Sequence, residues 1–392
     1  MSTSAWDLTD EQHTFVSWVR EAATSTLLPI AERGEPGRVN RELVKAMGDL
    51  GLLARLFPGA AAGDDSGTTS QSASTSRQAA AFDLCLLREA VATVSTEAET
   101  ALALQGLGTY PVLQAGTQEQ VDRWVPAVAR GDAVAAFALS EPDAGSDAGA
   151  LTLAAEPESA SGDAWRLAGE KLWISNAPEA DLYSVFARTT PGAGSRGVTA
   201  FAVPADRAGL TGEHLDLLSP HPIGRLAFDG VRVTRDDVLG EPDRGFAVAM
   251  RTLDLFRPSV GAFAVGMAQA ALDAAVAHAG QREAFGAPLR DMQSVAHTLA
   301  EMATRTDAAR LMVYRAGAAY DEQRPGISST SAMAKLMATE TAQWVVDSAI
   351  QIHGARALQR GHLLEHLYRE VRAPRIYEGA TEVQRSIIAR HL

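Results

Sequence analysis

The sequence predicts an α+β protein that is mostly α. It reads as an N-terminal helical domain over residues 1–131, a middle antiparallel β-barrel or sandwich domain over 132–240, and a C-terminal four-helix bundle domain over 241–392. Three observations lead there. Apolar residues recur at helical spacing at both ends of the chain. Short runs rich in Val, Phe, Trp and Tyr, punctuated by Gly, Pro and Asp, fill the middle. The chain has 392 residues, too many for one small core and suited to two or three packed domains.

In the first zone, "LTDEQHTFVSWVREAA" has Thr9 as a candidate helix cap ahead of apolar residues at helical spacing. "NRELVKAMGDLGLL" and "QEQVDRWVPAVARG" repeat the style, the latter stopping at Gly131. The stretch 63–78, "GDDSGTTSQSASTSRQ", is poor in apolar residues and is expected to be a mobile surface loop. In the second zone, "AVAAFALS", "WRLAGEKLWIS", "DLYSVFART", "GVTAFAVP" and "RLAFDGVRV" read as strands joined by turns. In the third, long helical patterns cover roughly 243–281, 290–323 and 327–354, with a last one entered through 379–391. The Pro and Gly of "RPGISS" separate the second from the third, and four long helices imply a bundle. No repeat period is visible. Neither G-x-G-x-x-G after a strand nor G-x-x-x-x-G-K-[ST] occurs, which leaves a Rossmann or P-loop reading without support.

A net charge of −13 argues against a nucleic-acid binder, which needs a basic face. It leaves room for an anionic small molecule held by a few local arginines. Cys85 is the single cysteine, which rules out an internal disulfide and a cysteine-cluster metal site. The polar, acidic start "MSTSAWDLTDEQHTF" lacks the basic end and apolar centre of a signal peptide, and a cytoplasmic location is expected. The longest apolar run, "SVGAFAVGMAQAALDAAVAHAG", is interrupted by Gln269 and Asp273 and reads as a buried Ala-rich helix rather than a membrane span.

Five stretches carry polar groups in arrangements that suit chemistry. "FALSEPDAGSD" (137–147) joins a strand to a Gly-containing turn, whose backbone amides and the hydroxyls of Ser140 and Ser146 suit an oxygen-rich ligand. Taken alone, it reads as a plain strand-to-turn junction. In "GEKLWISN", Trp173 and Ser175 are two apart on one strand face. That places a flat indole beside a hydroxyl, although alone Trp173 reads as a core tryptophan. In "QREAFGAPLRDMQ", Arg282 and Phe285 lie three apart at a helix end and share a face, and Gly286 and Pro288 break the helix. Arg282 there suits a phosphate, or is simply a solvated charge. In "QIHGARALQRG", Gly354 marks a helix stop beside Gln351 and His353. No second ligand at helical spacing accompanies His353, and no metal site is predicted. In "RIYEGATEVQR", Glu378 precedes Gly379 and a helix. A carboxylate there is favoured by the helix dipole by about 0.3–1 kcal/mol, while a flanking glycine also lets a ligand approach the backbone.

Together, in this order, these stretches resemble the acyl-CoA dehydrogenase family over essentially the whole chain. The matches are "ALSEPDAGSD", "KLWISN", "QREAFGAPLRDMQ", "AMAKLMATETA", "QIHGA" and "RIYEGATEVQRSIIAR". The resemblance implies the three-part architecture above, bound FAD, and a homotetramer built as a dimer of dimers, or a homodimer. It implies α,β-dehydrogenation of an acyl-CoA thioester to the trans-2-enoyl thioester. Glu378 would take the α-proton, the β-hydrogen would leave as hydride to flavin N5, and an electron-transferring flavoprotein would be the electron acceptor.

Residue by residue, the resemblance implies flavin contacts at Phe137, Leu139, Ser140, Gly145 and Ser146, and at Trp173, Ile174 and Ser175. It implies contacts to a neighbouring subunit's FAD at Arg282, Phe285 and Gln293 and, on its adenosine side, at Gln351, His353 and Gly354, with a last FAD contact at Thr381 and Glu382. Substrate contacts fall on Ser146, Asp254, Arg257, Tyr377 and Gly379. Some relatives carry the base on an earlier helix, where this chain has Phe256, so Glu378 stands alone as the candidate. Against the family pattern, Ala355 and Ala380 replace a common glycine and threonine, and one flavin hydrogen bond is lost or moved to Thr381. Glu97 and Glu99 stand where relatives have mostly neutral residues at the base of the acyl pocket. They read as a solvated helix face or, more sharply, as a pocket for a polar or cationic acyl tail. Three other readings compete: the same fold acting on carrier-protein-bound acyl thioesters, an acyl-CoA oxidase, and a non-catalytic flavin-binding scaffold.

Overall fold

The computed structural model describes residues 8–57, 80–158 and 162–392. The stretch 63–78 lies outside them. In chain order the helices are α1 (Asp10–Ala22), α2 (Leu28–Ala31), α3 (Arg41–Asp49), α4 (Ala81–Ala92), α5 (Thr96–Ala115), α6 (Gln118–Ala129), α7 (Gly245–Gln281), α8 (Gln293–Asp321), α9 (Ile327–His353), α10 (Leu363–Glu370) and α11 (Thr381–Ala389). The strands are β1 (Ala135–Ala138), β2 (Ala154–Pro157), β3 (Ala164–Ser175), β4 (Leu182–Arg188), β5 (Val198–Pro204), β6 (Leu210–His214), β7 (Ile223–Thr234), β8 (Val238–Leu239), β9 (Glu283–Ala284) and β10 (Ala287–Pro288). Helices, then a sheet, then a helical bundle follow one another as the sequence predicts.

The chain divides into two compact units, with boundaries inside α2, α5 and α7. The helical unit comprises Met1–Leu28, Ala81–Glu99 and Asp254–Leu392. Its first helix starts at Thr9, whose Oγ1 accepts from the Gln12 amide at 3.2 Å while Gln12 Oε1 accepts from the Thr9 amide at 2.9 Å. This reciprocal cap satisfies two donors that a helix start otherwise leaves open. The core is built from α7, α8 and α9 around Phe263, Met267, Met302, Val313 and Val345. Alanines and Gly266 keep the backbones close. A Cβ at Gly266 would sit 2.6 Å from Ala92 Cβ and 2.7 Å from the Glu89 carbonyl oxygen. By length and composition α7 passes for a membrane span, yet 72% of its most apolar window is buried inside the protein. That is the behaviour of a core helix, as its sequence indicated.

The second unit comprises Pro29–Ala80 and Thr100–Leu253. Its sheet runs β6-β7-β3-β2-β4-β5-β8, with β1 added beside β4. The sheet is mixed rather than purely antiparallel, because β1 and β2 both pair with β4 in parallel. β4 and β5 are buried on both faces, which explains their unbroken apolar runs. β3 alternates in exposure over residues 165–168 and carries two register shifts, between Leu167 and Ala168 and between Lys171 and Ile174.

Two local expectations are corrected. Arg282 and Phe285 share no helix face: α7 ends at Gln281, and a hairpin of β9 and β10 follows, with Phe285 (φ 52°) and Gly286 (φ 84°) at its tip. Trp173 is no core tryptophan. It takes φ 63° at the β3 irregularity and is 51% exposed, while its neighbour Ile174 points inward.

Candidate active site

After one 3₁₀ turn (Ala373–Arg375), the chain enters the left-handed region twice in succession, at Glu378 (φ 51°) and Gly379 (φ 92°). Glycine takes this conformation freely; a glutamate does so at a cost of order 1 kcal/mol or more and needs to be held. The holding groups are near. Lys335 Nζ donates to the Gly379 carbonyl at 2.7 Å, and Gln384 Nε2 donates to the carbonyls of Glu378 (3.1 Å) and Gly379 (2.8 Å). The turn then feeds α11 through Ala380, which lacks a capping side chain. Glu378 is thus a residue of a strained turn ahead of the helix rather than a helix-capping carboxylate.

The carboxylate sits half-buried, and its Oε2 is enclosed with no hydrogen-bond partner. Burial pushes its pKa up, while Arg88, Lys335 and Arg257 pull it back down. An unsolvated, unpaired carboxylate oxygen is poised to accept a proton from a ligand. Arg257 on α7 is 6% exposed; its Nη1 donates to Asp254 Oδ1 at 2.7 Å and its Nε has no partner. Burial raises the pKa of Asp254 and Arg257 opposes this. Phe256, at the rival base position, is buried. The enclosure thus presents an unpaired acceptor and an unpaired donor, the arrangement that a polar ligand satisfies.

Beneath the turn, Arg88 on α4 and Glu99 on α5 form a buried ion pair. Arg88 Nη1 also donates to Ser259 Oγ at 2.6 Å, which donates on to the Phe256 carbonyl at 2.8 Å. The solvated-face reading therefore fails for Glu99, which is 1% exposed. Its charge is met by Arg88 inside the protein, which removes the basis for a cationic acyl tail. Glu97 does face outward, bonded to Ser95 and Thr96 and 3.5 Å from His366 Nε2.

The loop and strand proposed for the flavin lie in the second unit. Phe137 on β1 packs against Phe186, with centroids 4.9 Å apart. Lys171 Nζ bonds the Leu139 carbonyl at 2.9 Å, and the Leu172 amide bonds the Ser140 carbonyl at 3.0 Å. Glu141 completes the anchoring by accepting from Lys171 (2.7 Å) and from the amides of Thr152 (2.6 Å) and Leu153 (2.9 Å). From this fixed base the tip projects: Gly145 and Ser146 are exposed, and a Cβ at Gly145 would meet nothing. An exposed indole at Trp173, an open glycine turn with a hydroxyl at Ser146, and Ser175 on the same strand fit a flat, polar-edged ring system.

The remaining candidates lie in the helical unit. Arg282, Phe285, Gln293, Gln351 and Gly354 are exposed. Gly354 (φ 67°) ends α9, and His353 is half-buried, stacked at 4.2 Å on His278. Glu382 is exposed in the first turn of α11. Thr381 is buried and its hydroxyl donates to Glu340 at 2.8 Å, so that proton is already committed.

Sequence reading passed over Arg88, Lys171, Glu141, Lys335 and Gln384. For Lys335 there was a signal. The buried stripe Ser331, Lys335, Ala338, Ala342, Val345, Ala349 has helical spacing and places a lysine where an apolar residue belongs.

The chain matches the acyl-CoA dehydrogenase N-terminal domain over residues 9–132, the middle domain over 136–231 and the C-terminal domain over 243–392. It is 38% identical to the mitochondrial short-chain specific acyl-CoA dehydrogenase of Bos taurus, covering 95% of this chain and 88% of that one. Butyryl-CoA dehydrogenase from Megasphaera elsdenii superposes with a TM-score of 0.88 at 32% identity, over 98% of both chains. PigA with FAD and proline superposes with a TM-score of 0.87 at 25% identity, again over 98% of both. Fold, the enclosed glutamate and full-length similarity agree, and the chain belongs to the acyl-CoA dehydrogenase family of oxidoreductases.

Proposed function

We propose that this chain dehydrogenates an acyl-CoA thioester between its α and β carbons, with Glu378 as the base. The observation that carries the reading is the Glu378 carboxylate: held in a left-handed turn, with Oε2 enclosed, without a hydrogen-bond partner, and facing Arg88, Lys335 and Arg257. Removal of the α-proton of a thioester leaves negative charge on its carbonyl, which needs a donor in place before the proton moves. The Glu378 backbone amide is proposed to serve as one such donor. Burial makes the carboxylate a stronger base than one in water, and the three cations favour its ionised form against that burial. Arg257, with its unpaired Nε, is proposed to orient the substrate beside Asp254.

FAD, held through Trp173, Ser146 and the turn at Gly145, would supply the hydride acceptor. Reoxidation is assigned to an electron-transferring flavoprotein, and the assembly to a homodimer or homotetramer. Similarity to short-chain and butyryl-CoA enzymes supports a short acyl group.

The test is anaerobic bleaching of the flavin by butyryl-CoA. Glu378→Gln is expected to retain FAD and bind the thioester, yet lose flavin reduction by several orders of magnitude. Near-normal bleaching in this variant removes Glu378 from the role of base.

A further inference from the structure

Lys335 lies in the buried stripe of α9 and is 0% exposed. An ammonium there has given up its hydration and is tolerated only where a specific partner repays the loss. The partner is the carbonyl of Gly379, 2.7 Å from Nζ, in the residue that follows Glu378. The turn it grips has two consecutive left-handed residues, one of them not glycine, and enters a helix without a side-chain cap. Such a turn relaxes unless its surroundings over-determine it.

We infer that Lys335 is the positioning residue of the base: its ammonium clamps the Gly379 carbonyl, fixes Glu378 in its left-handed turn, and sets a positive charge beside the neighbouring carboxylate. The inference rests on the reading of Glu378 as base.

Gln384 grips the same turn from α11 without charge, through the carbonyls of Glu378 and Gly379. The charged groups facing Glu378 are Arg88 on α4, Arg257 on α7 and Lys335 on α9. Those facing Lys335 are Glu378, Arg257, Glu340 on its own helix and Glu382 on α11. Burial brings the ammonium down to about 8 against these carboxylates. The clamp is therefore charged at neutral pH and loses its charge as pH rises through that value. Two grips of different chemistry on one turn separate geometry from charge: Gln384 supplies hydrogen bonds alone, Lys335 a hydrogen bond and a charge.

The experiment is an infrared difference titration of the FAD-loaded enzyme, with the Glu378 carboxyl band assigned by its loss in Glu378→Gln. Lys335→Met is expected to raise the midpoint of that band by about one unit or more, and Lys335→Arg to restore it. Gln384→Leu is expected to leave it in place. In parallel, the limiting rate of flavin reduction by butyryl-CoA falls in Lys335→Met while the dissociation constant of butyryl-CoA stays within twofold. If Lys335→Met does not fold, Lys335→Gln, which keeps a donor toward Gly379 and loses the charge, carries the same titration. Coincident titrations of the wild type and the neutral variant overturn the inference, as does an equal shift in Gln384→Leu. The band reports ionisation whether or not Glu378 is the base, so a fully active Glu378→Gln would defeat the functional reading and leave the clamp standing.

Discussion

Lys171 Nζ lies 2.7 Å from Glu141 Oε1, and both side chains are out of solvent. The pair ties β3 to the loop that carries Ser140, Gly145 and Ser146. Breaking a buried pair by removing one partner leaves an uncompensated charge, at a cost of about 3–5 kcal/mol. Lys171→Met is expected to lose that much in urea unfolding of the holoenzyme, and Lys171→Met with Glu141→Leu to recover most of it. The pair is also acid-sensitive. Lys171 and the Thr152 and Leu153 amides offset burial and depress the Glu141 pKa. The carboxylate's contribution is present above its ordinary value of 4.5 and disappears as pH falls through the depressed one, while burial brings the Lys171 ammonium down to about 8 and limits the pair on the alkaline side. Unfolding midpoints across that acid range should be flatter in the double variant.

Gly379 is the second test of the turn. An alanine there takes φ 92° only with strain, and its Cβ would lie 2.5 Å from Gln384 Nε2. The amide is the far end of a flexible side chain and moves away, giving up its bonds to the Glu378 and Gly379 carbonyls. Gly379→Ala is expected to cost about 1–3 kcal/mol in thermal or urea unfolding and to slow flavin reduction while FAD content stays full.

How far the sequence reached depends on which physical signal each feature leaves behind. Helical spacing and the Gly-Pro break gave α7, α8 and α9 nearly to their ends, because long periodic faces are overdetermined. Glu378 became the candidate base through the resemblance carried by "RIYEGATEVQR", because locally a glutamate before a glycine and a helix reads equally as a helix-start carboxylate. The hairpin at Phe285 escaped, since two residues three apart are indistinguishable from a helix end without tertiary context. Glu99 was misplaced for a related reason. Its partner Arg88 is eleven residues away on another helix, and nothing local distinguishes a solvated carboxylate from one paired in the core. The parallel pairing of β1 and β2 with β4 is likewise a long-range fact that alternation along one strand does not encode.

Trp173 provides a spectroscopic handle. It is 51% exposed beside the loop assigned to the flavin, and a ring stacked near it should quench its emission. Removing FAD is expected to raise tryptophan fluorescence, and most of that rise should be absent in Trp173→Phe. Trp173→Ala should retain less FAD on gel filtration, because the stacking surface is lost.

The buried ion pair under the turn gives a prediction whose sign separates charge from packing. The cation Arg88 pulls the Glu378 pKa down against burial, and Glu99 screens that cation. With Glu378 as the proposed base, active when ionised, flavin reduction by substrate is expected to rise with pH through the Glu378 pKa. Removing the cation in Arg88→Met should move this limb to higher pH. Removing the screening charge in Glu99→Gln leaves Arg88 unopposed and should move it to lower pH. Both substitutions break the same buried pair, and both should lower unfolding stability by about 3–5 kcal/mol. A packing defect alone would slow both variants without displacing the limb. Opposite displacements, read from anaerobic stopped-flow bleaching by butyryl-CoA across the pH range, identify the Arg88–Glu99 layer as an electrostatic control on the base.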